Sequence, residues 1–256
     1  MTGGFAWHEL MVPDPEAAAA FYGAVLGWGR RDASTAAQSY TLLTAAERPA
    51  AGLLPLKPED MAKGALPGWI GHILVDDVDA TLARAQALGG VVHVPPRSIE
   101  IGRFAVLGDP QGAVFAIFAG TLPEPQPIGT PGHVGWNELA ASDWPAAFEF
   151  YAALFGWQRA EAVDIGPMGT YQTFGPADGP AIGGMFNRPS AIPRPFWCFY
   201  IAAGDIDAAA KRVAEAGGQV INGPMAVPGD AWVLQGIDPQ GAFFALLGTR
   251  AQPAPS

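Results

Sequence analysis

Trp7–Trp28 reads WHELMVPDPEAAAAFYGAVLGW, and Trp136–Trp157 reads WNELAASDWPAAFEFYAALFGW. The second stretch repeats the first in order and in spacing, so the chain is read as one architecture written twice. The correspondence continues downstream. Asp77-Val78-Asp79-Ala80 returns as Asp205-Ile206-Asp207-Ala208, Gly89-Gly90 as Gly217-Gly218, and DPQGAVFA from Asp109 as DPQGAFFA from Asp238. Proline-rich sequence from Gly120 to Gly132 separates the copies, because prolines remove backbone donors and favour extended geometry. The expected organisation is a first domain over 1–120, a linker over 121–132, a second domain over 133–249 and a frayed tail over 250–256.

Within each copy the hydrophobic period changes in an orderly way. Phe5, Trp7, Glu9 and Met11 alternate with Ala6, His8, Leu10 and Val12, a period of two that suits a strand. Pro13-Asp14-Pro15-Glu16 then opens a helix, with Asp14 as N-cap and Pro15 at the first helical position. Ala18, Phe21, Tyr22 and Val25 fall at helical spacing, and Gly27 is a natural stop. Short strands are expected at Tyr40–Thr44, Ala50–Leu54, Trp69–Val75, Val91–Val94, Arg103–Leu107 and Ala113–Phe118, with a helix over Asp77–Leu88. Asp-Pro-Gln-Gly makes the last hairpin turn, because Asp starts it, Pro fixes φ and Gly accepts the unusual angle. The fold class is α+β: a tandem duplicated domain, each half two βαβββ units forming a curved mixed-sheet cup with helices outside.

Composition narrows the function classes. Half of the 256 residues are hydrophobic, which is enough to bury one large core or two medium ones. Acids outnumber bases, 24 to 14, for a net charge of −10. That sign disfavours nucleic acid and anionic membrane as partners, since phosphate binding needs clustered Lys and Arg. A single cysteine, Cys198, cannot close an intrachain disulfide, and no basic leader or long apolar run is visible. The expectation is a cytoplasmic protein, monomer or homodimer, whose partner is a small-molecule ligand.

A strand, an Asp, a helix ending Phe-Tyr-x-x-x-Leu-Gly-Trp, and later Val-Asp-Asp-Val-Asp and Asp-Pro-Gln-Gly before a final strand, resemble the vicinal oxygen chelate superfamily. That group holds glyoxalase, extradiol dioxygenase and bleomycin-resistance proteins; the chain is similar most closely to its tandem-domain glyoxalase-like members. The resemblance implies metal ligands on inward positions of four strands. Carried over, those positions are Trp7, Ile70, Ala116 and the strand around Gly52–Leu54, then Trp136, Cys198, Ala245 and the strand around Gly183–Met185. Only one lone thiol among them can ligate, whereas a catalytic divalent site uses at least three protein ligands. No cofactor is therefore expected, with a divalent metal on Glu9 and His72 as the fallback.

Residues two apart on a strand share a face, which brings a different set forward. Trp7, Glu9, Met11, Ile70 and His72 would line the first cup, and Trp136, Glu138, Cys198 and Tyr200 the second. Glu9, His72, Glu138 and Tyr200 are the candidate catalytic residues. Trp7, Met11, Ile70, Trp136 and Cys198 are the candidate substrate-binding residues. A carboxylate beside indole is desolvated, which favours proton transfer near neutral pH; the same carboxylate serves equally well as a structural acceptor for indole or backbone N–H groups. Four readings stay open: proton-transfer chemistry of the lyase or isomerase type without metal, a metal-dependent lyase or dioxygenase with relocated ligands, a sequestering binder, and a structural or regulatory module with filled cups. His93, before Pro95-Pro96, and His133, in the linker, are expected at the surface.

Overall fold

The computed structural model describes residues 2–36, 38–124 and 126–250. Most of the expected tail thus lies outside the described residues. In chain order the first repeat forms β1 (Phe5–Val12), α1 (Pro15–Leu26), β2 (Gly29–Asp32), β3 (Thr41–Ala45), β4 (Arg48–Pro55), α2 (Pro58–Met61), β5 (Gly68–Leu74), α3 (Val78–Ala87), β6 (Val91–Ile99), β7 (Gly102–Gly108) and β8 (Val114–Gly120). The second forms β9 (Val134–Ala141), α4 (Trp144–Phe155), β10 (Gln158–Asp164), β11 (Thr170–Gly175), β12 (Gly183–Asn187), β13 (Phe196–Asp205), α5 (Ile206–Glu215), β14 (Gln219–Val227), β15 (Ala231–Ile237) and β16 (Phe243–Thr249). These strands order as β2-β3-β4-β1-β5-β8-β7-β6 and β10-β11-β12-β9-β13-β16-β15-β14. Both are open, mixed, eight-stranded sheets, with β1 parallel to β4 and β5 parallel to β8 among antiparallel neighbours.

Local chemistry sets the four long helices. Asp14, Asp77, Asp143 and Asp205 each cap one, their side chains accepting from the backbone N–H three residues on. Gly27 and Gly156 end α1 and α4 in the left-handed region, at φ 72° and 71°. One strand is longer than its sequence suggested: β6 runs through Pro95-Pro96 to Ile99. It lies at the end of its sheet, where a missing donor costs no ladder bond, and its register shifts around the prolines. His133 is the other departure. Its carbonyl accepts from Ala202 N and its ring is buried, because the end of the linker is drawn into pairing with the strand that carries Ala202.

The repeats as stretches of sequence and the compact bodies of the structure are different divisions. One unit comprises His8–Trp69, Gln126–Gly135 and the chain from Phe199, and in it α1 packs on α5. The other comprises the chain up to Trp7, Ile70 through Glu124, and Trp136–Cys198, and in it α3 packs on α4. Each unit draws on both repeats. In the α1/α5 unit the core joins Leu10, Val12, Phe21, Tyr22 and Trp28 to Ile201, Val213, Leu234 and Phe244.

A buried polar chain crosses each core. Trp69 Nε1–H donates to the Tyr22 hydroxyl at 3.1 Å, which donates to Asp238 Oδ2 at 3.3 Å. Trp197, Tyr151 and Asp109 repeat this in the α3/α4 unit at 2.9 and 3.1 Å. In both cases the Tyr comes from one repeat and the Asp from the Asp-Pro-Gln-Gly turn of the other. The other oxygen of each aspartate holds its own turn, Asp238 Oδ1 accepting from Gln240 N and Ala242 N, and Asp109 Oδ1 from Gln111 N and Ala113 N. The turn glutamines reach further still. Gln240 Oε1 accepts from Asp14 N while its Nε2 donates to Asp14 O, and Gln111 makes the matching pair of bonds with Asp143.

Burial pushes both aspartates above the ordinary carboxylate value, with the turn N–H groups and the tyrosines pulling back. It pushes Tyr22 and Tyr151 well above the ordinary phenol value, with the neighbouring aspartates adding to the rise.

Two outcomes are expected. Tyr22→Phe orphans the Trp69 indole N–H and one Asp238 oxygen, and should lower unfolding free energy by about 1–3 kcal/mol in urea titration; Tyr151→Phe should match it. A carboxyl with a raised folded pKa contributes fully below its unfolded value and loses that contribution as pH rises through the folded one. Stability should therefore carry a component that declines from about pH 4 upward. In Asp109→Asn/Asp238→Asn this component should vanish from the pH profile of stability.

Candidate functional site

β9 exposes one side of itself in part and buries the other. Trp136 and Glu138 are half-buried, whereas Asn137 and Leu139 between and beyond them are buried. β1 follows the same rule for Glu9 and Met11 against His8, Leu10 and Val12, although Trp7 itself is buried. Alternation along the strand thus places both carboxylates on a partly accessible face.

Each carboxylate is held by a tyrosine that the sequence did not single out. The Tyr40 hydroxyl donates to Glu9 Oε1 at 2.8 Å, and the Tyr171 hydroxyl donates to Glu138 Oε2 at 3.0 Å. The geometry depends on a glycine in the strand between. Glu9 stands opposite Gly52 and Glu138 opposite Gly184 in the parallel pairs β1·β4 and β9·β12. A Cβ on Gly52 would run into the Tyr40 hydroxyl, and one on Gly184 into the Tyr171 ring. The tyrosine can therefore lie flat across the middle strand and reach the acid beyond it only because that strand has no side chain there. Both copies keep the same Glu, Gly and Tyr, and the recurrence of Tyr40 and Tyr171 in the two repeats was the available signal.

The α3/α4 unit builds the fuller cluster. Trp136 Nε1–H donates to the Tyr171 oxygen at 2.7 Å, so an indole, a phenol and a carboxylate stand in series. Phe186, two residues beyond Gly184 on β12, stacks with Tyr171 at 6.0 Å between ring centroids. Burial pushes Tyr171 well above the ordinary phenol value, with the Glu138 charge next in effect, the Trp136 bond opposing it, and Cys198 close enough to add to the rise. Trp136, Glu138 and Cys198 thus all act on Tyr171.

The other expected site residues are divided between the two units. Glu9 and Met11 belong to the α1/α5 unit, while Trp7, Ile70 and His72 belong to the α3/α4 unit. Tyr200 belongs to the α1/α5 unit, is buried, and accepts from Gln235 Nε2 at 2.8 Å. His72 is buried and stands opposite Ala116 in the β5·β8 ladder. Tyr40 and Tyr171, which donate to the two carboxylates, each belong to the same unit as their acid. Two shallow depressions, of about 370 and 430 Å³, are lined by residues such as Glu16, Trp28 and Arg30, and Thr2, Asp76 and Phe155. Neither includes a Glu–Tyr pair.

The positions that the resemblance assigns to metal ligands carry no carboxylate or imidazole: they hold indole, alkyl and methyl groups, glycines, the Met185 thioether and one buried thiol at Cys198. Among the described residues no group of three His, Cys, Asp or Glu converges. This donor set does not fit the three-ligand divalent centre of a metal-dependent enzyme.

A family model described as the Glyoxalase/Bleomycin resistance protein/Dioxygenase superfamily matches residues 4–117 and again 130–246. The chain is 33% identical over 263 residues to the anthracycline biosynthesis protein DnrV of Streptomyces peucetius, covering 97% of this chain and 94% of that protein. It is 32% identical over 258 residues to CFP32 of Mycobacterium tuberculosis (strain CDC 1551 / Oshkosh), whose name proposes a glyoxylase, covering 97% and 94%. Solved structures share the fold. They include the Mn(II)-bound glyoxalase from Novosphingobium aromaticivorans, at TM-score 0.64, 16% identity and coverage of 98% of this chain and 83% of that one. Another is the 2,3-dioxygenase LapB from Pseudomonas sp. KL28, at TM-score 0.66, 15% identity and coverage of 100% and 96%.

Gly184→Ala should displace the Tyr171 ring and cost about 1–3 kcal/mol through overpacking, read by thermal and urea unfolding. Glu138→Gln removes the charge that helps hold Tyr171 high. An ultraviolet pH titration should then show one phenol ionising at lower pH than in the wild type.

Proposed function

Because the chain belongs to the Glyoxalase/Bleomycin resistance protein/Dioxygenase superfamily, we propose that it binds a small organic molecule against its Glu–Tyr faces and transforms it by proton transfer through the carboxylate. The observation that carries this reading is the duplicated bond from a tyrosine hydroxyl to a half-buried glutamate, at 2.8 and 3.0 Å, across a glycine in the strand between. A purely structural acceptor does not require an accessible face. Trp136, Tyr171 and Phe186 offer the aromatic surface that gives a small ligand its affinity.

In this reading Glu138 is the general base. A carboxylate accepts through two oxygens, so it can hold the Tyr171 hydroxyl and also take a proton from an acidic C–H or O–H of the ligand. Returning that proton at another atom gives an isomerase; losing a neighbouring group instead gives a lyase. Tyr171 fixes the rotamer of the acid, and Trp136 fixes Tyr171. Glu9 and Tyr40 would do the same in the α1/α5 unit, with Met11 on the same strand face. Trp7, Ile70, His72, Cys198 and Tyr200 are assigned to ligand contact or to shaping these faces. No step is routed through a metal, since the donor set does not fit one.

A sequestering role is the second reading, favoured by the aromatic ring pair beside Glu138, which supplies binding without chemistry. No helix among the described residues is long and apolar enough to cross a membrane. With one cysteine and an acidic balance, the chain is proposed to work in the cytoplasm, as a monomer or homodimer.

Native mass spectrometry before and after denaturation, with elemental analysis of the same sample, tests the reading. A metal-free protein that releases a small organic adduct is expected, and Glu9→Gln/Glu138→Gln should lose that adduct or its turnover. Stoichiometric metal, or an adduct and turnover indifferent to both substitutions, would overturn it. Recovery of the adduct chemically unchanged after incubation would favour sequestration.

A further inference from the structure

The two repeats differ in bulk at one place on the surface of their first helix. Aligned on Asp14 with Asp143 and on Trp28 with Trp157, the second repeat has Trp144, Phe148, Glu149 and Gln158 where the first has Pro15, Ala19, Ala20 and Gly29. An arginine follows in both, Arg30 on β2 and Arg159 on β10. In the α3/α4 unit the Arg159 guanidinium lies over two rings, 4.8 Å from the Phe148 centroid and 5.3 Å from that of Trp144, and pairs with Glu149 Oε1 at 2.8 Å. In the α1/α5 unit no aromatic ring stands at either position. A depression of about 370 Å³ lies there instead, lined by Glu16, Ala19, Ala20, Trp28, Gly29 and Arg30. Arg30 still pairs with an acid, but that acid is Glu16, one helical turn before the position that Glu149 holds in the other repeat.

We infer that the depression beside α1 is a binding seat for one neutral aromatic ring of a small molecule, of the phenol class, which rests on Ala19 and Ala20 and stacks beneath the Arg30 guanidinium. The second repeat shows what fits such a scaffold: there the chain itself supplies the ring, and Phe148 is buried under the cation. A ring in that position brings apolar area and an attraction between its face and the guanidinium. Ala19 brings neither, so both are left to a ligand. The volume is at the lower end of the range for small-molecule sites, roughly 300–1,000 Å³, which suits a single ring. A neutral ring is selected over an anionic one because Arg30 already has Glu16 as its counter-ion and the net charge is −10. Neither Glu–Tyr pair lines this seat, so it stands apart from the proposed reaction.

Phenol and cyclohexanol make the test, since they share a heavy-atom skeleton and only the first is aromatic. The readout is the methyl resonances of Ala19 and Ala20 in the intact protein, each assigned by its loss on substitution, in Ala19→Phe and Ala20→Glu. Phenol should shift both signals saturably and bind about two- to fivefold more tightly than cyclohexanol, the ratio that a cation–π contact at a partly exposed site gives. Arg30→Gln should bring that ratio toward one. In Ala19→Phe the introduced ring takes the seat as Phe148 does, and phenol should leave the Ala20 signal unmoved.

Ala19 and Ala20 signals indifferent to phenol up to its solubility limit would overturn the seat, as would an Ala19→Phe variant that still binds it. Equal affinity for the two alcohols, unaltered by Arg30→Gln, would overturn the ring stacked beneath a cation and the ligand class with it. Signals that move on dilution of the protein alone would give the seat to a second copy of the chain and overturn the small-molecule occupant. Folding of each variant is checked by the dispersion of the remaining alanine methyl signals; should Ala19→Phe not fold, Arg30→Gln decides. No arm of the experiment reads Glu9 or Glu138, so failure here is distinct from failure of the proposed reaction.

Discussion

Two buried aspartates hold the architecture together. Asp238 and Asp109 each occupy the first position of an Asp-Pro-Gln-Gly turn, tie that turn shut with one oxygen, and give the other to a tyrosine in the middle of a helix from the opposite repeat. A carboxylate so deeply placed costs free energy to desolvate, which its raised proton affinity registers. It is retained among apolar side chains because backbone N–H groups and a phenol meet it. The tyrosine in turn satisfies a tryptophan N–H that would otherwise be orphaned. Each three-membered chain thereby fixes a helix, a turn and a strand in one arrangement, and the turn glutamine clamps the start of the same helix.

From this constraint the placement of the two acids follows. Fixing α1 and α4 over their sheets commits the even-numbered side of β1 and the odd-numbered side of β9 to the core, burying Leu10, Val12 and Leu139. Glu9 and Glu138 are left on the other side by the pleat. There the same economy recurs on a smaller scale: a glycine opens room, a tyrosine fills it, and its one proton is directed at the acid. The buried and the half-buried polar groups of this protein are separate sets, one sealed inside each unit and one on a partly exposed sheet face. Titration of the buried set bears on stability, and the outer set is the one proposed to act in recognition.

How much of this was legible depended on whether the signal was local. The Asp caps, the glycine stops and the alternation that aims Glu9 and Glu138 are properties of neighbouring residues, and they were read correctly. Tyr40 was seen only as a strand residue and Tyr171 was not singled out, because their partners lie more than thirty positions away and the glycine that makes the reach possible carries no chemistry of its own. Pro95-Pro96 was read as a strand end, since nothing in the sequence said that β6 would lie at an edge. His133 was read as exposed because its prolines and glycines describe a linker, whereas pairing with the strand around Ala202 buries it.

The sequence by itself determined that one α+β module is written twice, where its helices begin and end, and which face of β1 and β9 carries an acid. Those features rest on dihedral preference and on periods of two and 3.6, which a chain displays before it folds. Only the tertiary structure decided that the compact units mix the repeats, that each turn aspartate belongs to the other repeat's tyrosine, and that the acids face tyrosines. Pairings of that kind are fixed by strand register and by the burial of distant surfaces against one another. No local preference encodes them, because their free energy exists only once both partners are in place.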